Sequence, residues 1–423
     1  MKPSRFNYIV EDDGDAIFFN GLTEAFFRVP LSRRDVYKTI LDYPNDHYDS
    51  FKSFIDRVKT DGFVMDDKAD EDALLKQKFE SLRCHDLYHA LILPTYQCNL
   101  RCWYCIQHHQ EMWMDEETVA AIKRRIELKL NDDKIRQLNI SWFGGEPLMA
   151  YDRLLEITQF AQKTAADLNK VFSASITTNG TLLTRDRIDA LADAGITSYQ
   201  ISIDGNRKAH NKVKVLPDGA SAFDRALENI DYLARRTYCT LRFNYTKETL
   251  DPDSVIEDLA GKLSEESKKK ISFLIYKVWQ EDESTIDQAL VDRLYDLSKD
   301  LGLSPRFKEH GLCYVDQINY DCIFPNGKVG KCDNLDPDCL PGQLNPDGTI
   351  SWKMIPASFR SSFLSDSSDC NRCRHVAFCW GPCYTRREKM LSDHGRLMCQ
   401  FEDRNKEIKQ QIIEYVKSTE SGN

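Results

Sequence analysis

A sheet of parallel strands joined by crossover helices, an α/β fold, is what the middle of this 423-residue chain predicts. Between residues 86 and about 305, six short apolar runs alternate with amphipathic stretches: 87–93, 138–143, 172–177, 199–203, 240–245 and 271–278. The stretches between them are long enough for a helix, which parallel neighbours require. Turns rich in small and polar residues stand at the strand ends, where α/β folds carry their chemistry: Gly144-Gly145-Glu146-Pro147, Thr178-Asn179-Gly180-Thr181 and Ser202-Ile203-Asp204-Gly205.

Residues 1 to about 80 read as a small domain of their own. Tyr8-Ile9-Val10 and Ala16-Ile17-Phe18-Phe19 flank Glu11-Asp12-Asp13-Gly14-Asp15, a hairpin signal. Ser32 is placed to cap a helix with Val36 and Ile40 on one face, and Phe51, Phe54 and Val58 mark the face of another. Gly62-Phe63-Val64-Met65 reads as a returning strand, and the charged stretch 66–80 as a linker. Strand–strand–helix–helix–helix–strand is the order of a winged helix. Such modules often bind DNA, but these helices carry no basic stripe and the chain's net charge is −10, so no nucleic-acid partner is expected.

In the central part, 86–305, Asp115 is placed to cap a helix whose Val119, Ile122, Ile126 and Leu130 share a face. Ser221–Arg236 and Thr285–Leu301 repeat that pattern. Arg242 and Asn244 alternate along the fifth strand and so face the same side. The third part, 306–423, is set apart by its cysteines.

Composition bounds the function. A chain with 41% hydrophobic and 11% aromatic residues is ordinary for a globular enzyme. Eighteen consecutive apolar residues occur nowhere, so no spanning helix and no membrane partner are expected. No apolar run behind Met1-Lys2-Pro3-Ser4-Arg5-Phe6 suits a signal peptide, which makes the cytoplasm the expected compartment. In that reducing setting, the 14 cysteines read as metal ligands rather than disulfides.

The densest cysteine motif is Cys98-Asn99-Leu100-Arg101-Cys102-Trp103-Tyr104-Cys105, directly after the first strand. A loop this short can wrap three thiolates around three corners of a [4Fe–4S] cube. With no fourth cysteine nearby, one iron keeps an open coordination site, where a metal does chemistry. A zinc knuckle is the competing reading, but zinc sites show paired Cys-x2–4-Cys units. The loop resembles that of the radical S-adenosylmethionine (AdoMet) superfamily. The resemblance implies a partial (β/α)6 barrel and AdoMet chelated on the open iron. It also implies a 5′-deoxyadenosyl radical that abstracts hydrogen from substrate, with electrons supplied by a donor such as flavodoxin or ferredoxin.

By the same resemblance Tyr104 faces the adenine, Gly144, Gly145 and Glu146 receive the AdoMet amino group, and Ser202 meets its carboxylate. Asn179 shapes its loop, while Arg242 and Asn244 contact ribose or carboxylate. Two glycines let backbone approach a ligand closely, and a carboxylate complements an ammonium. His108, His109 and His210 are expected at the surface or behind the ligands, Cys84 and Cys239 as buried thiols.

The C-terminal array runs Cys370-x2-Cys373-x5-Cys379-x3-Cys383, then Cys399, with Cys313 and Gly327-x4-Cys332 upstream. Its order resembles the SPASM extension, which carries two auxiliary iron–sulfur clusters. That likeness assigns Cys313, Cys332 and Cys383 to one cluster, and Cys370, Cys373, Cys379 and Cys399 to the other. A further ligand to the first is Cys322 or Cys339, neither at the spacing of sulfatase maturases, so that cluster is open to substrate if neither serves. Asp333 matches a proton-accepting aspartate of those enzymes; a solvated loop acid is the plainer reading.

Joined to such a core, the N-terminal module resembles the leader-peptide recognition domain of ribosomal-peptide maturases, which binds along a strand edge. The expected function is oxidative crosslinking, through a thioether or carbon–carbon bond, of a ribosomally made precursor peptide. The alternative is an anaerobic sulfatase-maturating enzyme that oxidises cysteine or serine to formylglycine. A non-catalytic redox sensor is a third reading, opposed by the intact Gly-Gly-Glu-Pro turn.

Overall fold

The computed structural model describes residues 1–421 except 108, 283–284, 308–310, 335–339, 354–363, 365–367 and 402, and except the side chains of 384, 388 and 421. His108 and Cys339 therefore lie outside the described residues. By internal packing the chain forms two units. The first comprises Met1–Cys84, Glu309–Gln317 and Pro356–Glu420; the second is mainly His85–Lys308 and Ile318–Ile355.

The first unit begins with β1 (Lys2–Pro3), β2 (Asn7–Asp12), β3 (Asp15–Asn20) and β4 (Phe26–Pro30), then α1 (Arg34–Asp42), α2 (Pro44–Thr60), β5 (Val64–Met65) and α3 (Glu71–Leu82). The hairpin forms as expected, with left-handed Asp13 and Gly14 making its two-residue turn. Three expectations fail. A third strand, β4, completes an antiparallel sheet in the order β2-β3-β4 before any helix. Ser32 caps nothing, because a 3-10 turn over Leu31–Arg33 leads into α1 with Arg33 at the cap position and no side-chain bond there. The supposed linker folds as α3, with Asp70 accepting from the N–H groups of Asp72 and Ala73 while Leu75 and Phe79 pack inward. One helical turn separates those two apolar residues, enough to anchor an otherwise charged segment.

In the second unit the six expected strands are β6 (Leu87–Ile92), β7 (Gln137–Trp142), β8 (Val171–Thr178), β9 (Ile196–Ile203), β10 (Tyr238–Tyr245) and β11 (Ile271–Lys277). Each is parallel to the next, so neighbours follow chain order. The crossings use α4 (Glu116–Leu130), α5 (Tyr151–Asp167), α6 (Arg185–Asp193), α7 (Arg207–Val213), α8 (Ala222–Leu227), α9 (Ile230–Arg236), α10 (Pro252–Ala260) and α11 (Glu265–Lys268). Asp115 caps α4 through the Thr118 N–H, as its sequence predicts. The stretch 221–236 is two helices rather than one: it breaks at Asn229, whose side chain donates to the Leu183 carbonyl.

Cys322 falls in a strand, as its sequence predicts, but the sequence reading missed how far the sheet extends. After α12 (Gln288–Asp300), β12 (Ser304–Arg306) joins β11. At the other end β13 (Tyr320–Ile323) pairs in parallel with β6, then β14 (Lys328–Gly330), β15 (Gly342–Leu344) and β16 (Ile350–Trp352) add antiparallel strands. Among the described residues this sheet has 11 strands. These additions are too short to show a period of their own.

Strand alternation sorts the two faces. Leu138, Ile140, Trp142, Leu241 and Phe243 are buried in one core with the helices. The opposite face is polar and linked strand to strand: Asn139 donates to Ser173 (2.9 Å), Ser141 meets Ser175 (3.1 Å) and His89 meets Ser141 (3.0 Å). Cys239 lies on the apolar face and is buried as expected, whereas Cys84 is only half-buried.

The first unit closes with α13 (Val376–Cys379), α14 (Tyr384–His394) and α15 (Arg404–Ser421). Ile408, Ile412 and Val416 of α15 pack on Tyr8, Val10, Ile17 and Phe19, while Leu41 and Val58 of α1 and α2 cover Ala16, Phe18 and Val29. The small sheet therefore has helices on both faces.

One buried ion pair fixes β13 on the large sheet. Asp321 accepts from Arg125 Nε (3.0 Å) and Nη2 (2.9 Å) and from the Tyr88 hydroxyl (3.0 Å). Removing one partner of a buried pair strands the other charge, so Asp321→Ala should cost about 3–5 kcal/mol. Urea denaturation of the variant against wild type measures this; an unchanged midpoint would show that the pair anchors nothing.

Candidate functional site

The cysteine loop is held against the end of β7 by main chain. Gly145 N–H donates to the Thr95 carbonyl (3.1 Å) and Glu146 N–H to the Gln97 carbonyl (2.8 Å). This contact explains the two glycines differently from the sequence reading. A methyl on Gly144 (φ 122°) would stand 2.6 Å from the Thr95 carbonyl oxygen, and one on Gly145 would collide with the Gln97 carbonyl. Their first task is to let the loop before Cys98 approach, rather than a ligand.

Glu146 is buried and already engaged. Its carboxylate accepts from the Thr178 hydroxyl (2.7 Å), the Asn179 N–H (2.8 Å) and the Leu148 N–H (3.0 Å). Burial holds its carboxyl above the ordinary value despite those donors. Asn179 joins this turn to the cysteine loop: its amide donates to Asn99 Oδ1 (2.9 Å), while Asn99 donates to Thr181 (2.8 Å). The loop-shaping role expected of Asn179 agrees with that geometry.

Cys98, Cys102 and Cys105 are half-buried. Backbone N–H groups point at two of their sulfurs, Leu100 to Cys98 and Gln107 to Cys105, each at 3.4 Å. Burial pushes Cys98 up to about 12, with Glu146 adding to the effect, and Cys102 up to about 11 against the pull of Lys214. Such thiols ionise only when a cation compensates them, as a bound metal does. Among the described residues, no three His, Cys, Asp or Glu side chains gather tightly enough to hold a single metal ion. That is expected if each thiolate takes a different iron.

Sequence reasoning missed Lys214. It is almost fully buried, donates to Ser202 O (2.8 Å) and Ser202 Oγ (2.9 Å), and stands in an ion pair with Asp204 Oδ2 (2.5 Å). Burial pushes the Asp204 carboxyl up, but Lys214, with His210 and the Tyr104 hydroxyl, more than reverses this and leaves it below its ordinary value. The Tyr104 hydroxyl donates to Asp204 and accepts from Asn244 (3.3 Å). Arg242 donates to Asn244 (3.0 Å) and lies 4.0 Å over the Tyr276 ring. Ser202, Tyr104, Arg242 and Asn244 thus belong to one network, centred on an ion pair that no motif flagged. Lys214 sits beyond α7 among other basic residues, and nothing local in the sequence marks it.

Of the two places expected for His210, the structure shows the one behind the site: it is fully buried, its Nδ1 accepts from the Asp204 N–H (3.1 Å), and burial lowers its pKa to about 3, so it stays neutral. His109 is half-buried, its left-handed backbone at φ 48°.

The C-terminal cysteines fall into groups. Within the first unit Cys370, Cys373, Cys379 and Cys399 line one small cavity, the four that sequence order sets together. His375 N–H points at Cys373 Sγ (3.4 Å) and Gln400 Nε2 at Cys379 Sγ (3.8 Å). Burial pushes Cys370 up to about 11 and Cys379 up to about 12, neighbouring thiols adding to both. Also in that unit, burial raises Cys313; Cys383 adds to the shift and Arg387 opposes it. Arg387 is itself buried on Asp316 (2.7 Å) and the Pro382 carbonyl (2.8 Å).

In the second unit Cys322 is buried on β13, where burial, Asp333 and Cys332 hold its thiol well above the ordinary range. Cys332 Sγ stands 4.0 Å from Asp333 Oδ1, and the Asp333 carbonyl accepts from Gln107 (3.4 Å).

Replacing Lys214 by methionine would leave Asp204 a buried carboxylate without its cation, a change of about 3–5 kcal/mol. The double variant Lys214→Met/Asp204→Asn should recover much of that loss in the same denaturation assay. Equal losses in the single and double variants would mean that the two groups are not coupled.

Four findings from known proteins bear on this site. Residues 92–259 match the family model described as the Radical SAM superfamily. GTP 3′,8-cyclase 1 of Mycobacterium tuberculosis is 32% identical over 145 residues, 31% of this chain and 39% of that protein, so the match spans well under half of the curated relative. The fold is shared with anSMEcpe, solved with AdoMet and a Kp18Cys peptide: TM-score 0.55, 16% identity, 80% of this chain and 99% of that one. It is shared also with Streptococcus suis SuiB bound to its precursor peptide SuiA: TM-score 0.52, 15% identity, 95% of this chain and 99% of that one. No helix among the described residues is long and apolar enough to cross a membrane. The cysteine loop, the glycine pair, the strand-end turns and the Lys214–Asp204 network all fall inside the matched span, and the chain carries a radical SAM domain.

Proposed function

We propose that this chain is a peptide maturase that uses AdoMet cleavage to crosslink a ribosomally made precursor oxidatively. The observation that carries this reading is the extent of the fold match. The likeness to SuiB, solved with a precursor peptide, reaches 95% of this chain, whereas that to anSMEcpe reaches 80%. A formylglycine-forming enzyme is the second reading, and the anSMEcpe likeness is what favours it.

Cys98, Cys102 and Cys105 would hold the cluster, the fit being three half-buried thiols with N–H groups aimed at sulfur. When bound, the cluster and AdoMet supply a 5′-deoxyadenosyl radical for hydrogen abstraction. The protein's own part is positioning. The Gly144-Gly145-Glu146 turn would present main-chain carbonyls and the Glu146 carboxylate to the amino group. Ser202, its oxygen already bonded to Lys214, keeps its own O–H for the AdoMet carboxylate, with the lysine supplying charge. Tyr104, Arg242 and Asn244 would bound the nucleoside.

Cys370, Cys373, Cys379 and Cys399 suit an auxiliary cluster, since they share one cavity. The other set, Cys313, Cys332 and Cys383 with Cys322, is proposed on sequence order alone. Auxiliary clusters would take up the electron left on the substrate radical, which makes the net change an oxidation. Asp333 would accept the substrate proton. An electron donor such as flavodoxin or ferredoxin and a cytoplasmic setting complete the proposal.

Tandem mass spectrometry after anaerobic reaction tests it, with two candidate substrates: any short cysteine-containing peptide found encoded beside the gene, and a sulfatase-motif peptide. A true precursor should lose hydrogens and gain a link that fragmentation does not open. Formylglycine in the second, with the first untouched, would establish the alternative.

A further inference from the structure

Resting on the reading of Cys370, Cys373, Cys379 and Cys399 as the seat of an auxiliary cluster, we propose that the basic surface beside that seat is a docking site for a small acidic iron–sulfur protein, which carries the cluster's electron away. A cluster that takes up an electron from substrate must pass it on before the next turnover. The balance is simple: the reduced cluster loses one electron, the oxidised carrier gains one, and no bond forms or breaks. The chain must supply a place where the carrier comes close, since electron transfer between proteins weakens steeply with distance.

Within the first unit the seat lies directly under the surface. Arg404 is exposed, yet its guanidinium donates to Cys373 Sγ (3.6 Å). Beside the small cavity of the four thiols is a wider slot of about 450 Å³, lined among others by Lys38 and Asp42 of α1 and by Arg374, Asn405 and Lys409. His375 lines both cavities, so a single buried residue joins them. Its ring is pinned there, Nδ1 meeting the Tyr8 hydroxyl (3.1 Å) and Nε2 meeting Asn405 Oδ1 (3.1 Å). A docked protein would rest against a fixed wall, one residue from the sulfurs.

Charge says what kind of protein fits. Arg5, Lys38, Arg374, Arg404 and Lys409 line the two cavities against one carboxylate, Asp42, in a chain of net charge −10. Asp42 is paired with Lys38 and Arg5 with Asp72, while Arg374, Arg404 and Lys409 have no carboxylate partner among the described residues. A local basic patch on an acidic protein steers an acidic partner towards it. Redox encounters bury little surface, so charge rather than contact area sets how fast they form. The place of the patch, over four thiols, favours a carrier above an acidic peptide or a nucleic acid, neither of which needs a cluster beneath it.

The test is stopped-flow mixing of the cluster-loaded full chain, reduced with dithionite and then freed of it, with an oxidised acidic [2Fe–2S] ferredoxin. Isothermal titration of the two oxidised proteins measures binding separately. The ferredoxin should bind and be reduced, and both effects should weaken as salt rises. Cytochrome c, a basic carrier, should not bind. Lys38→Glu/Lys409→Glu should lower the affinity for ferredoxin about tenfold, two surface charges being reversed. Both lysines are exposed, so the variant should fold, which an unchanged thermal midpoint confirms. Lys38→Gln/Lys409→Gln should give a smaller loss in the same direction.

Equal affinity of wild type and both variants for the ferredoxin, or an affinity indifferent to salt, overturns the inference. Binding without reduction does the same. So does displacement of the ferredoxin by a glutamate hexapeptide or an oligonucleotide at equal concentration, because the slot would then suit another class of partner. Iron and sulfide counts on Cys370→Ala/Cys379→Ala test the seat apart from the docking. Counts below those of wild type uphold the seat. Unchanged counts mean that the cluster reading itself has failed, even where ferredoxin binds.

Discussion

The site depends on a main-chain contact between two loops. Thr95 to Gln97, leading into the cysteines, lies against Gly144 to Glu146 at the end of β7, so close that neither glycine tolerates a side chain. Everything else is arranged around this junction. Glu146 is drawn into the turn by donors from β8 and its loop, and Asn179 reaches from that turn back to Asn99. The cysteine loop is therefore fastened to a strand end by its backbone, and its sulfurs inherit the rigidity of the sheet.

Electrostatics does the second part of the work. Burial alone would keep the three thiols protonated, and Glu146 and Asp204 bring further negative charge into the same region. Lys214 is the protein's answer: a buried cation hydrogen-bonded to Ser202 and ion-paired with Asp204, whose field favours the thiolate forms of Cys102 and Cys105. The remaining compensation is what a bound metal would provide. A site that holds its charge balance only when loaded has reason to favour loading.

Much of this was legible in the chain. The six parallel strands announced themselves through apolar runs, and the motif residues through spacing that only a shared loop explains. The four cysteines Cys370, Cys373, Cys379 and Cys399 were grouped by order and do share a cavity. What stayed hidden has common causes. β4, β12 and β14–β16 are three to five residues long and carry no period. The helix α3 hides two apolar residues in a charged run. Lys214, Asp204 and His210 are brought together by folding, and their meaning lies in burial, which a single sequence does not display. The packing of α15 on the N-terminal sheet is likewise a contact between distant ends of the chain.

The most direct measurement is 5′-deoxyadenosine formation by the reconstituted protein with AdoMet and dithionite, beside the variant Cys102→Ala. The account predicts the nucleoside from wild type and none above background from the variant. Its absence from the loaded wild-type protein, or equal yields from both, would contradict the assignment of the cysteine loop as the centre of the chemistry.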